Sequence, residues 1–211
     1  MQSIYLNPYQ TELKTEITHR KHEGETTHLC LKDTICVDYD ALGLPLEPVS
    51  LSGLPLLRTY TAGDELIHVV QGKPAASSVA LSAPHETRIR LLRECSIRLL
   101  FRHVLRQYFN RVPYNFRTAE HESRFLISGN YTQQDMLRLH QILTDNTQRL
   151  IRAGLYLTTR EKRTGPETAL FGLDTFPWSG PHLANTSEIC DFRLEPVHRC
   201  AHSCEIRYRL M

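Results

Sequence analysis

Along this 211-residue chain the spacing of apolar positions changes character twice. Between Thr26 and about Ala83, short apolar runs (THLCLKDTICVDYD, LPLLRTYTAGDELIHVV and SSVALSA) are interrupted by glycine and proline. Runs of that length with those breakers suit strands joined by turns, and predict a small barrel or curled sheet. The first 25 residues are polar and histidine-rich and read as an extension or a leading strand. From Pro84 the chain changes to HETRIRLLRECSIRLLFRHVLRQYF, in which Ile89, Leu92, Leu99, Leu100 and Val104 recur at helical spacing. This predicts a helix of about six turns. A second helix is expected after Thr132, whose hydroxyl can cap the first turn while Asp135 takes the third position. It would turn Met136, Leu139, Ile142, Leu143, Leu150 and Ile151 inward. RFLISGNYT reads as a strand and its turn. The last third returns to strands in ALFGLDTF, SEICDFRLEPV and CEIRYRL, the final two close enough to form a hairpin.

The expected fold class is therefore α+β. Residues 1–25 form an extension or leading strand, 26–83 a small β-barrel-like domain, and 84–211 a domain with helices packed on an antiparallel sheet. A chain of this length can bury a sizeable core without a metal or disulfide staple. The formal net charge is +2, with both signs dispersed, so no basic stripe announces a nucleic acid. No apolar run approaches the roughly 20 residues that span a bilayer, and the N-terminal stretch lacks a secretory layout. A cytoplasmic protein without a membrane partner is expected. The six cysteines form no CxxC pair and read as free thiols. The sequence carries no signature of an oligomeric state.

Three local strings are more specific. WSGPHLANTSEICDFRL (Trp178 to Leu194) resembles a CGGTH segment followed by V-x-N-T-x-E-I-G, with His182, Asn185, Thr186, Glu188 and Ile189 at matching places. RIRLLRECSIRLLFRHVL (Arg88 to Leu105) is similar to an R-x-R-x-M-R-x-H-T-A-x-H helix, and TICVDYDALGLPLEP (Thr34 to Pro48) to an F-Y-P-E-G-G-G-Q-P segment. These patterns, with the terminal CEIRYRL, resemble the AlaX-like alanyl-tRNA editing proteins, relatives of the alanyl- and threonyl-tRNA synthetase editing domains. The resemblance runs from about residue 26 to 211 and implies an editing-type second domain. Family members hydrolyse the ester of a mischarged aminoacyl-tRNA with a zinc held by two histidines one helical turn apart, a cysteine and a further histidine. Residues four apart share a helix face, so two imidazoles so spaced can reach one ion.

Carried over without gaps, the two helix histidines fall on Cys95 and Leu99, the cysteine on Trp178 and the last histidine on His182. Leu99 has no donor atom and the Trp178 indole is not a ligand. Slipping the register by one substitutes Glu94 and Arg98, which is no better. Leu44 stands where the family has glutamine, and Pro181 replaces the threonine of CGGTH. The expectation is a repurposed member of the fold lacking the standard zinc, with no cofactor. His182 and Cys95 are its candidate catalytic residues, and Leu99, Trp178, Thr186 and Leu44 line its pocket. As an enzyme it would act, independently of metal, on an acyl-ester, thioester or related small acyl substrate. The alternatives are a non-catalytic aminoacyl-tRNA or protein-binding module and a zinc-dependent deacylase with displaced ligands.

Blander readings compete at each residue. His182 suits a hydrogen-bonded structural position beside a turn, and Cys95 a small apolar helix residue. His103 shares a face with Cys95 and Leu99, but eight residues of helix rise about 12 Å, too far for Cys95 and His103 to share an ion. The alternating His198, Cys200, His202 and Cys204 could offer four ligands from one strand face, but the resemblance places this tract at a hairpin turn, where alternation fails, so a surface loop is expected. His19, His22 and His28 read as solvated histidines in a polar leader.

Overall fold

The computed structural model describes residues 7–119, 122–162, 165–177 and 179–211. The chain forms two compact units, Met1–Leu92 and Arg93–Met211, and its fold class is α+β.

Six antiparallel strands close into a barrel in the first unit: β1 (Glu12–Glu23), β2 (Thr26–Leu31), β3 (Ser50–Leu51), β4 (Leu54–Ala62), β5 (Glu65–Gln71) and β6 (Ser78–Ser82). Their order is β1-β2-β5-β4-β3-β6, and β1 pairs with β6 to complete the circuit. The polar stretch before Thr26 thus supplies a 12-residue barrel strand. Side chains alternate across each strand, so Leu29, Leu81 and Val70 fill the interior with almost no exposure. Between β3 and β4, Ser52 and Gly53 both take positive φ (52° and 87°), the backbone that a two-residue hairpin turn with the twist of its strands requires.

After β2 the chain leaves the sheet. Thr34 to Val37 run as a buried loop rather than continuing the strand, and a single helical turn, α1 (Tyr39–Leu42), follows. Asp38 caps it, accepting from the Ala41 amide at 3.0 Å, while its other oxygen accepts from the amide and hydroxyl of Thr61 at 2.9 Å. The loop is held by Arg88, which is fully buried. Its guanidinium grips Glu47 through Nε to Oε1 (2.9 Å) and Nη2 to Oε2 (2.7 Å). It also donates to the carbonyls of Ile35 and Gln10, both at 2.9 Å. Tyr39 donates its hydroxyl to Glu47 at 2.9 Å. A bidentate guanidinium–carboxylate pair satisfies the charge that burial would otherwise penalise.

Arg88 lies on α2 (His85–Phe109), which starts in the first unit and continues into the second. From Glu94 to Phe101 every residue is buried, so this segment has no solvent face, in contrast to the single apolar stripe expected from Leu92, Leu99 and Val104. The polar members survive burial because they pair: Arg98 Nε donates to Glu94 at 3.2 Å and Nη2 to Thr118 Oγ1 at 2.7 Å, and the Tyr208 hydroxyl donates to Glu94.

In the second unit, β7 (Tyr114–Thr118), β8 (Ser123–Ser128), β12 (Phe192–Leu194) and β14 (Ser203–Leu210) make an antiparallel sheet in the order β12-β14-β8-β7, with β13 (His198–Arg199) also on β14. A three-stranded sheet joins β11 (Asp174–Pro177), β10 (Gly165–Leu170) and β9 (Leu157–Lys162). Phe101 of α2 packs against Phe125, Phe192 and Tyr208, with ring centroids 4.9–5.6 Å apart. The second long helix, α3 (Gln133–Ala153), opens with the reciprocal Thr132–Asp135 capping box and ends at Gly154 in a left-handed conformation.

One expected strand is shorter than its sequence suggests. In SEICDFRLEPV, residues Thr186–Ile189 form a 3-10 helix, and only Phe192–Leu194 are extended. Asn185 and Glu188 cap that turn reciprocally, competing with strand geometry through local side-chain bonds. Among the described residues, no helix is long and apolar enough to cross a membrane.

Removing one member of the Arg88–Glu47 pair strands the other charge in the barrel unit. Arg88→Ala is expected to cost about 3–5 kcal/mol of unfolding free energy in urea denaturation, and a loss below about 1 kcal/mol would contradict the role given to the pair.

Candidate functional site

α2 places Cys95, Leu99 and Arg102 at i, i+4 and i+7, along one stripe. A loop, residues 179–185, is fastened to this helix and to the start of β9. The Leu183 amide donates to Ser96 Oγ at 3.0 Å and the Leu157 amide to the Ala184 carbonyl at 2.9 Å. Just beyond, Arg93 donates from Nε and Nη2 to the Ile189 carbonyl at 2.9 and 2.5 Å. His182 sits in this loop next to the pinned Leu183 and is 4% exposed.

Among the described residues, neither ring nitrogen of His182 has a hydrogen-bond partner, and the Ser179 hydroxyl in the same loop also lacks one. Each unsatisfied buried polar group costs about 1–3 kcal/mol, so the hydrogen-bonded structural histidine expected as the bland alternative is not what the fold provides. Desolvation, helped by the cation of Arg102, holds the imidazole down to about 3, so it is neutral near neutral pH. A neutral ring offers one donor and one acceptor. Arg102 is half-buried over the Phe116 ring at 5.3 Å. Burial, then the neighbouring Arg98 cation, lowers its pKa. Among the described residues Arg102 makes no hydrogen bond and no ion pair, unlike Arg98 one turn earlier.

Cys95 is fully buried, and desolvation pushes its thiol up to about 12. It is a protonated, inaccessible thiol and not a thiolate nucleophile. Leu99 beside it is also fully buried. Thr186 is fully buried too, but its hydroxyl donates to the Leu150 carbonyl at 2.8 Å and accepts from the Leu155 amide at 2.8 Å. It stitches the 3-10 helix to the end of α3, and so does Asn185, whose amide donates to the Gly154 carbonyl at 2.7 Å. The ANTSEI string therefore has a structural task of its own. Leu44 belongs to the barrel unit, where it is 6% exposed beside the turn that ends α1. Trp178 lies outside the described residues.

The zinc implied by the resemblance does not fit the side chains at its positions. Cys95 and His182 supply two donors, and Leu99 supplies only carbon. The slipped alternative meets the buried Glu94–Arg98 ion pair at 3.2 Å, already committed to Thr118 and Tyr208. His103 is held by Asp174, Nδ1 to Oδ2 at 3.3 Å, and is engaged away from Cys95. In the tract from His198 to Cys204, Cys204 is buried while His198, Cys200 and His202 are exposed, so the four do not share a face. Of the N-terminal histidines, His22 bonds Thr27 at 2.9 Å and His28 bonds Tyr60 at 3.1 Å. They are cross-strand partners in a barrel wall rather than free side chains of a leader.

Sequence reasoning passed over Arg102 and Ser96. Arg102 carries a signal in retrospect, since it extends the Cys95–Leu99 stripe by one turn; Ser96, between Glu94 and Arg98, carries none.

No protein-family model matches the chain, and no curated protein matches it.

The buried neutral histidine makes a pH dependence. Unfolded, the ring titrates near its ordinary 6.5, and folded it stays neutral down to about 3. Between these values the unfolded state binds the extra proton, so stability present above 6.5 is lost as the pH falls. His68, buried in the barrel and held down to about 4 by desolvation, acts in the same direction. Urea denaturation from about pH 7 to about pH 4 is expected to show falling stability, with a shallower slope in His182→Leu. Equal slopes for the two proteins would refute this burial of His182.

Proposed function

We propose that the Arg93–Met211 unit is a repurposed aminoacyl-tRNA editing-type domain that binds an acyl- or aminoacyl-bearing ligand at His182 without metal-assisted hydrolysis. The observation that carries this reading is His182 itself, buried with both ring nitrogens unpaired among the described residues. An orphaned neutral imidazole is satisfied by a ligand that presents a carbonyl acceptor to its N–H or a donor to its bare nitrogen. Arg102, which meets no anion among the described residues, suits a carboxylate or phosphate on the same ligand. The three sequence strings, in their order, support descent from the editing fold, as does an α+β chain that begins with a barrel.

Binding is favoured over covalent catalysis because the Cys95 thiol is buried and protonated. It is also favoured over proton transfer, since a general base works best when its pKa lies near the operating pH, and His182 is held near 3. The second reading, a metal-independent acyl hydrolase with His182 acting on a water, draws on the same unpaired ring.

The test is to measure binding and deacylation of aminoacyl-tRNA, with uncharged tRNA as the control. Charged tRNA is expected to bind without accelerated deacylation. His182→Ala and Arg102→Met are each expected to weaken binding by about tenfold, the loss of one hydrogen bond to a charged or buried group. Deacylation abolished by His182→Ala would replace this reading with the hydrolase. Equal binding of charged and uncharged tRNA, or no binding at all, would remove the aminoacyl group from the function.

A further inference from the structure

Away from this site, the wall of the barrel brings together three side chains of different metal-ligating chemistry. A β-bulge falls between Ile17 and His19, after which His19 stands opposite Cys30 of β2. In a regular ladder continued from the Ile17–Leu31 pair, His19 would instead face Leu29, which points into the barrel and has no exposure. The extra residue thus rotates the imidazole onto the outer face, the face of Cys30. On the other side of β2, Cys30 pairs with Ile67 of β5, and Glu65 lies two residues along the same face. Diagonal neighbours of this kind are within reach of a long side chain. The Cys30 thiol donates to Glu65 Oε2 at 3.5 Å.

The ligand atoms of His19, Cys30 and Glu65 all lie within 4.8 Å of one another, the only such group of three among the described residues. The His19 ring makes no hydrogen bond among the described residues, and Glu65 pairs with no cation there. Cys30 is 8% exposed, whereas His19 and Glu65 are exposed.

We propose that His19, Cys30 and Glu65 form a divalent-metal site, selective for zinc, on the outer wall of the barrel. The donor set decides the class of ion. Thiolate, imidazole and carboxylate together match zinc, while magnesium and calcium take oxygen ligands only. Tetrahedral bonds of about 2.0–2.3 Å put ligand atoms about 3.3–3.8 Å apart, which rotation of the two exposed side chains around the fixed Cys30 supplies. The fourth position is left to water. Binding releases the Cys30 proton to solvent, since the thiolate is the ligand. The ion would clip β1, β2 and β5 together across the bulge, so zinc raises the melting temperature by mass action.

The experiment uses the full chain, stripped with chelator and titrated with zinc and then cobalt. One equivalent of zinc is expected, with a near-ultraviolet thiolate-to-cobalt absorption on substitution. Cys30→Ser abolishes that absorption. His19→Ala and Glu65→Gln each weaken zinc binding by about a hundredfold, the upper end of what even indirect partners of a metal contribute. Cys200→Ser, at an exposed thiol elsewhere, binds as the parent does. Because His19 is exposed, His19→Ala carries the test even if Cys30→Ser fails to fold. Less than stoichiometric zinc, or binding that survives His19→Ala unchanged, overturns the site.

Discussion

The barrel unit is organised around the charge of Arg88, which has no contact with water and therefore has to be neutralised by the chain around it. Meeting that demand draws in the segment before β1 through the carbonyl of Gln10, the loop after β2 through Ile35, and the loop after α1 through Glu47. None of these segments is held by the sheet ladder at those points, so one side chain sets the path of three loops. A buried ion pair of this kind adds little net stability over an apolar substitute, but it admits few alternative arrangements, because each would strand a charge. The second unit repeats the device with Glu94, Arg98, Thr118 and Tyr208, where α2 is buried on all sides.

These networks also explain what could be read from the sequence. The helix from His85 and the Thr132 cap were legible because periodicity and capping are local properties. The closed barrel was legible only in part. β6 alternates clearly and β4 and β5 are short apolar runs bounded by turns, whereas ELKTEITHRKHE in β1 has only Leu13 and Ile17 as apolar side chains, and its strand identity comes from pairing on either side with β2 and β6. The 3-10 turn at Thr186 was hidden because Ile189 and Phe192 give the segment strand-like apolar content, while its geometry is set by the side chains of Asn185 and Glu188.

At the candidate site, the resemblance drew attention to Cys95, Leu99 and His182, but the chemistry of each depends on burial, which a sequence match does not encode. A cysteine and a histidine on paper look like a reactive pair. In the fold, both are held in their neutral forms by desolvation, and Arg102 beside them, without an ion pair among the described residues, becomes the more informative residue. The His19–Cys30 juxtaposition depends on a single inserted residue in β1, and no alternation pattern would have announced it.

The closure of the barrel has a consequence for association. The six-strand circuit is closed, but β3 is only two residues long, so among the described residues β4 beyond Leu56 and β6 before Leu81 have no strand neighbour on that side, and the Asp38 carboxylate takes the Thr61 amide instead. Edges in the second unit are blunted. β7 is broken by a register shift between Tyr114 and Arg117 with Asn115 in a left-handed conformation, β12 is only three residues long, β11 ends in Pro177, and β9 carries Arg160. Short, bulged, proline-terminated and charged edges are what keep sheets from joining edge to edge, so these strands resist unintended strand addition by geometry and charge rather than by closure alone.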